Sequence, residues 1–265
     1  MKILVLTKYS LDISEVKVDP ASRELRLAGV PEKIGNIDRN AVEAALRLRE
    51  KSGGTVQALC LGPEAAKDGF RDVLAMGVDE VTLVIDPFDG GAEAVIAVRI
   101  LESAIRKLGS FDLILSGFAS DDGYTFQTGP RLAERLDLPL VSYARQLSVT
   151  DGVLKADRDL EGRLQSVEVA LPALVSVAEE AFPPRRTTLM DALNAKKKPV
   201  KIWTMEVELG QSKAGLEQEL EVAAATRTGI VVFRKQQMLK GLNLTEAADR
   251  VIDALFLDGV LKGGA

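Results

Sequence analysis

The chain contains no histidine at all among its 265 residues. That absence excludes Ser-His-Asp and Cys-His catalytic groups, histidine general bases and the usual zinc sites. A single cysteine, Cys60, excludes a disulfide within the chain and cannot hold an iron–sulfur cluster alone. It sits in the apolar run Val56–Leu61, where an inert core thiol is expected. No apolar stretch is long enough to span a bilayer, so membrane insertion is not expected. Aromatic residues make up 5% of the chain, and a net charge of −5 gives no general reason to bind nucleic acid. Neither a Walker A sequence nor a GxGxxG after a strand is present, so the two commonest phosphate loops are missing. Any chemistry here is expected to come from a bound cofactor.

What is present is an ordinary globular balance, 46% hydrophobic and 28% charged. The opening MKILVLTKYS reads as a first strand rather than a signal peptide. With the reduced cysteine, this implies a cytoplasmic protein, or a mitochondrial matrix one if eukaryotic, with no transit peptide seen. Strand patterns at Ile3–Leu6, Val56–Leu61, Val81–Ile85, Leu113–Leu115 and Val141–Tyr143 alternate with helix patterns. The helices are expected at Asp38–Lys51, Glu64–Met76, Glu93–Leu108 and Pro130–Leu136. Asp38 is the expected cap of the first, with Gly53-Gly54 ending it, and Gly77 is the expected cap closing the second. Such alternation predicts an α/β fold: a doubly wound, mostly parallel, Rossmann-like sheet covered on both faces. Turn signals at Asp151-Gly152 and Glu161-Gly162 add antiparallel hairpins built from Arg145–Val149, Leu154–Arg158 and Leu164–Ala170.

In such sheets ligands bind beyond the carboxyl ends of the strands. Loops at Thr7–Asp12, Gly62-Pro63 and Gly117–Thr125 converge there. The richest segment is LILSGFASDDGYTFQTGP, Leu113–Pro130, in which a buried strand enters an acidic glycine-containing loop and then a helix start. Proline is favoured at the first helical position, which places Pro130 there. Free N–H groups and the Thr128 hydroxyl at a positive helix end suit a phosphate. An ordinary strand–loop–helix connection explains the segment equally well.

Beyond Ala173–Val177 lies EEAFPPRRTTLMDALNAKKKP, Glu179–Pro199, with the composition of an exposed arm ending in a solvated basic run. Leu189 and Met190 form an apolar pair that an exposed arm seldom shows without a partner. Residues 207–242 are weakly patterned, and Thr245–Leu257 has the stripe of an amphipathic helix. The expected divisions are residues 1–177 as the nucleotide-binding domain with edge hairpins, 178–199 as the arm, and 200–265 as a C-terminal extension.

Four local patterns, in order and spacing, resemble the electron transfer flavoprotein β subunit. They are the first strand ending in Lys8 with Asp12 after it; AVEAALRLREK at Ala41–Lys51 followed by LAMGVDEV at Leu74–Val81; the Gly117–Gly129 loop; and ADRDLEG at Ala156–Gly162 leading to LPALV at Leu171–Val175 and the arm with Arg186, Thr188 and Leu189 before AKKKP. The resemblance implies an α-subunit partner, an FAD at the α–β interface, and exchange of electrons with flavin-dependent dehydrogenases and an acceptor. The chain would then be an electron carrier rather than a catalyst of substrate chemistry. The resemblance also implies an AMP in the β pocket, or a second FAD in electron-bifurcating members. By matching position, Leu6, Asn36, Asp38, Gly62, Gly117, Asp122, Gly123, Thr125, Phe126, Gln127, Thr128 and Gly129 would line that pocket. Arg158 would reach the interface flavin, where a guanidinium favours anionic states, and Leu189 would anchor the arm on dehydrogenases.

The departures are equally specific. Gly35-Asn36-Ile37 replaces a common Asn-Pro-aromatic, Arg163 replaces a glycine, and Ser176 replaces another small residue. Asp122-Gly123-Tyr124-Thr125-Phe126-Gln127-Thr128-Gly129-Pro130 keeps the frame of bifurcating members with Tyr124, Phe126 and Thr128 changed. Bulky Tyr124 and Phe126 either stack on an adenine or obstruct an isoalloxazine, and the lean is to AMP. A stand-alone adenine-nucleotide module on the same fold is the alternative from another class.

Overall fold

The computed structural model describes residues 1–20, 22–88, 94–217, 238–241 and 243–261. Its strands are β1 (Lys2–Thr7), β2 (Tyr9–Leu11), β3 (Lys17–Val18), β4 (Leu25–Arg26), β5 (Glu32–Ile34), β6 (Thr55–Gly62), β7 (Glu80–Ile85), β8 (Leu113–Gly117), β9 (Leu140–Thr150), β10 (Val153–Leu160), β11 (Arg163–Ala170), β12 (Ala173–Val177) and β13 (Val200–Trp203). The helices are α1 (Asn36–Ser52), α2 (Ala66–Met76), α3 (Ala94–Leu108), α4 (Thr128–Arg135), α5 (Leu189–Ala195), α6 (Met205–Leu209), α7 (Lys213–Glu217) and α8 (Leu244–Leu257).

Nine strands form one sheet in the order β11-β10-β9-β12-β8-β1-β6-β7-β13. From β9 through β13 every neighbouring pair is parallel, while β10 and β11 run antiparallel as an edge meander. The α/β class and the hairpins thus stand as the sequence predicts. The central strands β1, β6, β7, β8 and β12 bury both faces. Ile3 and Val5 join Leu113 and Leu115 under α1, while Leu4 and Leu6 join Ile114 under α3 and α4. After β1 the chain winds outward to β6 and β7, then returns across β1 to β8, which puts a switch point between β1 and β8. Such a point opens a crevice at the carboxyl ends of the strands.

Several local expectations are corrected. Val141–Tyr143 and Arg145–Val149 are one strand, β9, which pairs parallel with β12 on one side and antiparallel with β10 on the other. Register shifts on both sides, and a φ of +57° at Tyr143, break its alternation. Asp38 does not cap α1. Gly35 occupies that position, and the orphan N–H groups of Asn36 and Ile37 donate to the Asp121 carboxylate, 2.8 and 3.3 Å away, from a distant loop. Pro130 is the third residue of α4, which opens at Thr128; its missing N–H costs nothing anywhere in the first turn. Helix α2 starts at Ala66 rather than Glu64. Gly53 and Gly77 close α1 and α2 with φ of +71° and +132°.

The strand β13, unmarked by any sequence pattern, completes the sheet beside β7, although Val200–Trp203 lies beyond the expected domain boundary. Buried Met205 and Leu216 then join the cluster under α3. The sequence divides into two compact units, Met1–Thr226 and Arg227–Ala265. In the second, α8 is opened by a capping box between Asn243 and Glu246. Within the weakly patterned stretch 207–242, residues 218–237 and 242 lie outside the described residues, as does Glu93, the expected start of α3.

Candidate functional site

A cavity of about 380 Å3 opens at the switch point. Its walls include the apolar Leu6, Leu61, Ala97 and Leu101 of the sheet and α3, and a mixed set from the loops, with Phe118 and Phe126 beside Ser120, Thr125 and Gln127. The 117–129 segment forms one whole side. Leu6, Asp38, Gly117, Gly123, Thr125, Phe126, Gln127, Thr128 and Gly129, all singled out from the sequence, line it. Asn36, Gly62 and Asp122 lie off the lining. Asn36 starts α1, and Gly62 ends β6 and accepts from the Asp86 N–H at 2.9 Å. Asp122 instead pairs with Lys8, Nζ to Oδ2 at 2.6 Å. That pair and the Asp121 cap fasten the loop to both ends of the β1–α1 connection.

Two glycines set the shape. A Cβ on Gly117 would fall 2.6 Å from Ile37 Cγ2 and 2.8 Å from Asp38 Oδ1, so only glycine lets α1 approach β8 this closely. A Cβ on Gly129 would stand 3.1 Å from Ser116 Oγ, so α4 begins against the end of β8.

The electrostatics are dominated by carboxyls. Asp38 is 7% exposed and accepts the Lys8 backbone N–H at 2.7 Å. Burial pushes its pKa up to about 7; Asp121 and Asp122 add repulsion, while the Lys8 N–H and ammonium pull it back. Burial also works against the Asp122 charge, but the Lys8 hydrogen bond and charge outweigh it and hold that carboxyl below its usual value. Cys60, buried beneath, has its thiol pushed up to about 12 mainly by burial, as an inert core cysteine should.

Four rings meet at the loop. Phe118 lies 5.6 Å from Tyr124, 5.5 Å from Phe126 and 5.8 Å from Tyr143 between centroids, and Tyr124 meets Phe126 edge-on at 4.7 Å. Tyr124 and Phe126 hold φ of +47° and +62°, a costly region for bulky residues that persists where packing enforces it. Tyr124 stands at the loop rim, partly in solvent, while Phe126 and Phe118 line the cavity.

The sequence placed Thr7 and Phe118 at the site only as parts of their loops, and it did not mark Ser116 or Asp86 as lining residues. Ser116 could have been found, since a lone hydroxyl ending the run Leu113–Leu115 must stand at the strand's carboxyl edge. The α3 residues could not, because their amphipathic stripe looks the same with or without a cavity beneath it.

Arg158 and Leu189 lie apart from the cavity lining. Arg158, on β10 opposite the register shift of β9, donates from Nε to the Ser142 carbonyl at 3.1 Å and from Nη2 to the Ser142 hydroxyl. Leu189 and Met190 open α5 with 79% and 64% of their surfaces exposed. The segment leading to them is strapped down. Arg185 donates to the buried Glu43 carboxylate from Nε at 2.8 Å and to Glu50 from Nη1 at 2.6 Å. The basic run is not uniformly solvated either, because the Lys198 ammonium caps the Leu74 and Val78 carbonyls at 2.8 and 2.7 Å, and burial lowers its pKa. Among the described residues no helix is long and apolar enough to cross a membrane.

Fold and cavity together define an α/β protein of the doubly wound class with a ligand-sized crevice at its switch point. Residues 25–208 match the electron transfer flavoprotein domain. The chain is 36% identical over 257 residues to an electron transfer flavoprotein subunit beta of Thermoanaerobacterium thermosaccharolyticum, covering 96% of this chain and 98% of that one. It is 32% identical over 265 residues to the caffeyl-CoA reductase–Etf complex subunit CarD of Acetobacterium woodii, again covering 96% and 98%. It is also 34% identical over 211 residues to the protein FixA of Azorhizobium caulinodans, covering 77% and 75%. The chain belongs to the electron transfer flavoprotein family, among its β subunits.

Proposed function

We propose that the chain pairs with an electron transfer flavoprotein α subunit and shuttles electrons from flavin-dependent dehydrogenases to an acceptor through an FAD at the α–β interface, with an AMP in the β cavity. The observation that carries the nucleotide reading is the switch-point cavity, walled by the Gly117–Gly129 loop and the start of α4. Its size falls within the range of small-molecule sites, and the close approaches at Gly117 and Gly129 set α1 and α4 against the end of β8 beside it. In this reading Thr125, Gln127 and Thr128 hold the nucleotide, and Lys8 supplies the nearest positive charge. Arg158, braced on Ser142, faces the interface flavin, and Leu189 meets the dehydrogenase. The FAD supplies the redox chemistry; the residues of this chain bind, orient and shield.

A second FAD in place of AMP is the second reading. One observation favours it, the Asp122–Pro130 frame; the ring cluster of Phe118, Tyr124 and Phe126 offers stacking surface to an adenine and an isoalloxazine alike. Co-expression with the cognate α subunit and chromatography of the nucleotides released on denaturation separate the two. One FAD and one AMP per heterodimer is the expected result, and two FAD without AMP establishes the second reading. A colourless chain that ignores α would refute both.

A further inference from the structure

We propose that the Ser116 hydroxyl is a direct donor to a phosphate oxygen of the bound nucleotide, acting with the first two backbone N–H groups of α4. The inference rests on the nucleotide reading above and adds to it a residue that sequence matching does not supply.

The argument begins with an unmet hydrogen bond. Ser116 is 5% exposed and stands in the cavity wall, and its Oγ is buried against the first turn of α4 with no partner within the chain. Buried hydroxyls are nearly always paired, because leaving one unpaired costs on the order of 1–3 kcal/mol. Its neighbours show what a satisfied hydroxyl looks like here. Ser176, in register with Ser116 on β12, accepts the Tyr143 N–H at 3.2 Å. The Thr7 hydroxyl donates to the Leu59 carbonyl at 3.5 Å. Of these three hydroxyls, that of Ser116 alone is left without a partner.

The surroundings state what its partner must be. Ser116 Oγ abuts Gly129, in the first turn of α4. In that turn Pro130 has no N–H, and the Arg131 N–H already donates to the Gln127 carbonyl at 3.0 Å. Thr128 and Gly129 therefore hold the helix donors without an intrahelical acceptor. A hydroxyl beside two such N–H groups, at the positive end of a helix, is matched by an acceptor-rich anion and not by a base edge. With Asp38 and Asp86 also on the lining, a phosphoryl oxygen needs every donor the first turn offers. A serine can turn its O–H toward such an oxygen while its own lone pairs stay unused.

The test uses the α–β heterodimer, freed of nucleotide and titrated with AMP and, separately, with FAD. Ser116→Ala should bind about tenfold more weakly, the loss expected for one hydrogen bond to a charged acceptor. In the stripped state the same variant should melt no lower than wild type, because the hydroxyl has nothing to lose there. Ser116→Cys, of similar size with a weak donor, should follow Ser116→Ala, and carries the test if the alanine variant fails to assemble. A loss seen with AMP assigns the donor to a monoester phosphate, and a loss seen with FAD assigns it to a pyrophosphate. Unchanged affinity in the variants, or a lower melting point of the stripped form, would overturn the inference while leaving nucleotide binding intact. Wild type that takes up neither nucleotide would overturn both.

Discussion

Asp38 occupies a position where one proton changes the balance of the site. Its neighbours are Lys8 on the β1 side, Asp121 and Asp122 on the loop, and Cys60 below, so it is surrounded by more negative than positive charge. With its pKa raised from 3.8 to about 7, the folded protein holds a proton between those values that the unfolded chain has released. Stability contributed by this group is therefore full below pH 4 and falls as pH rises towards 7. Asp38→Asn keeps an oxygen to accept the Lys8 N–H and removes the titration. The difference between wild-type and variant urea midpoints should shift in favour of the variant from pH 5 to pH 8. A difference that stays flat over that range would mean the carboxyl is ionised throughout. The residue was visible in the sequence, but its role was not. Its distance from the Asp121 loop is a property of the fold, and a capping aspartate and a buried one look alike in a string of letters.

At the scale of elements, the loop from Gly117 to Gln127 is held from both ends and from above. Gly117 is its tightest point. Gly117→Ala must push Ile37 and the Asp38 carboxyl aside, together with the Ala119 carbonyl 3.0 Å away. We expect a loss of about 1–3 kcal/mol in unfolding free energy, measured by chemical denaturation, and weaker nucleotide uptake through the displaced α1. The crossover units were legible because each helix carries an apolar stripe and each strand a continuous apolar run, which are signals local to the segment. Two elements were not. Strand β9 hides its continuity because its register shifts against both β12 and β10 between Val141 and Gln146, which resets which residues face inward. Strand β13 is four residues long and follows three lysines, and its identity comes from the β7 edge waiting beside it. The cavity was legible in its loop and illegible in its α3 wall, for the same reason: loops announce themselves by composition, whereas helix faces announce only burial.

Over the whole molecule, the strap from Ala178 to Pro199 carries the apolar pair of α5 and is pinned at its root by Arg185 on Glu43. Exposed side chains contribute little to folding, so Leu189→Ala should leave the melting transition within about 0.5 kcal/mol of wild type. If the pair anchors a dehydrogenase, the same change should slow flavin reduction by that partner about tenfold, measured by stopped-flow absorbance. An unchanged rate would move the docking surface elsewhere.

The sheet also imposes an order of events on synthesis. Strand β7 is complete at Ile85, but the strand that covers its outer edge begins only at Val200. A chain emerging from the ribosome therefore carries an open row of backbone donors and acceptors while the cavity, both hairpins and the strap are still being made. Such an edge can recruit a strand from a neighbouring chain, and the interval during which it can do so is set by elongation and by non-local pairing, which is slow. The strap thus has a duty unrelated to partners: it delivers the closing strand, and a nascent chain stalled before Trp203 would be the form of this protein most in need of a chaperone.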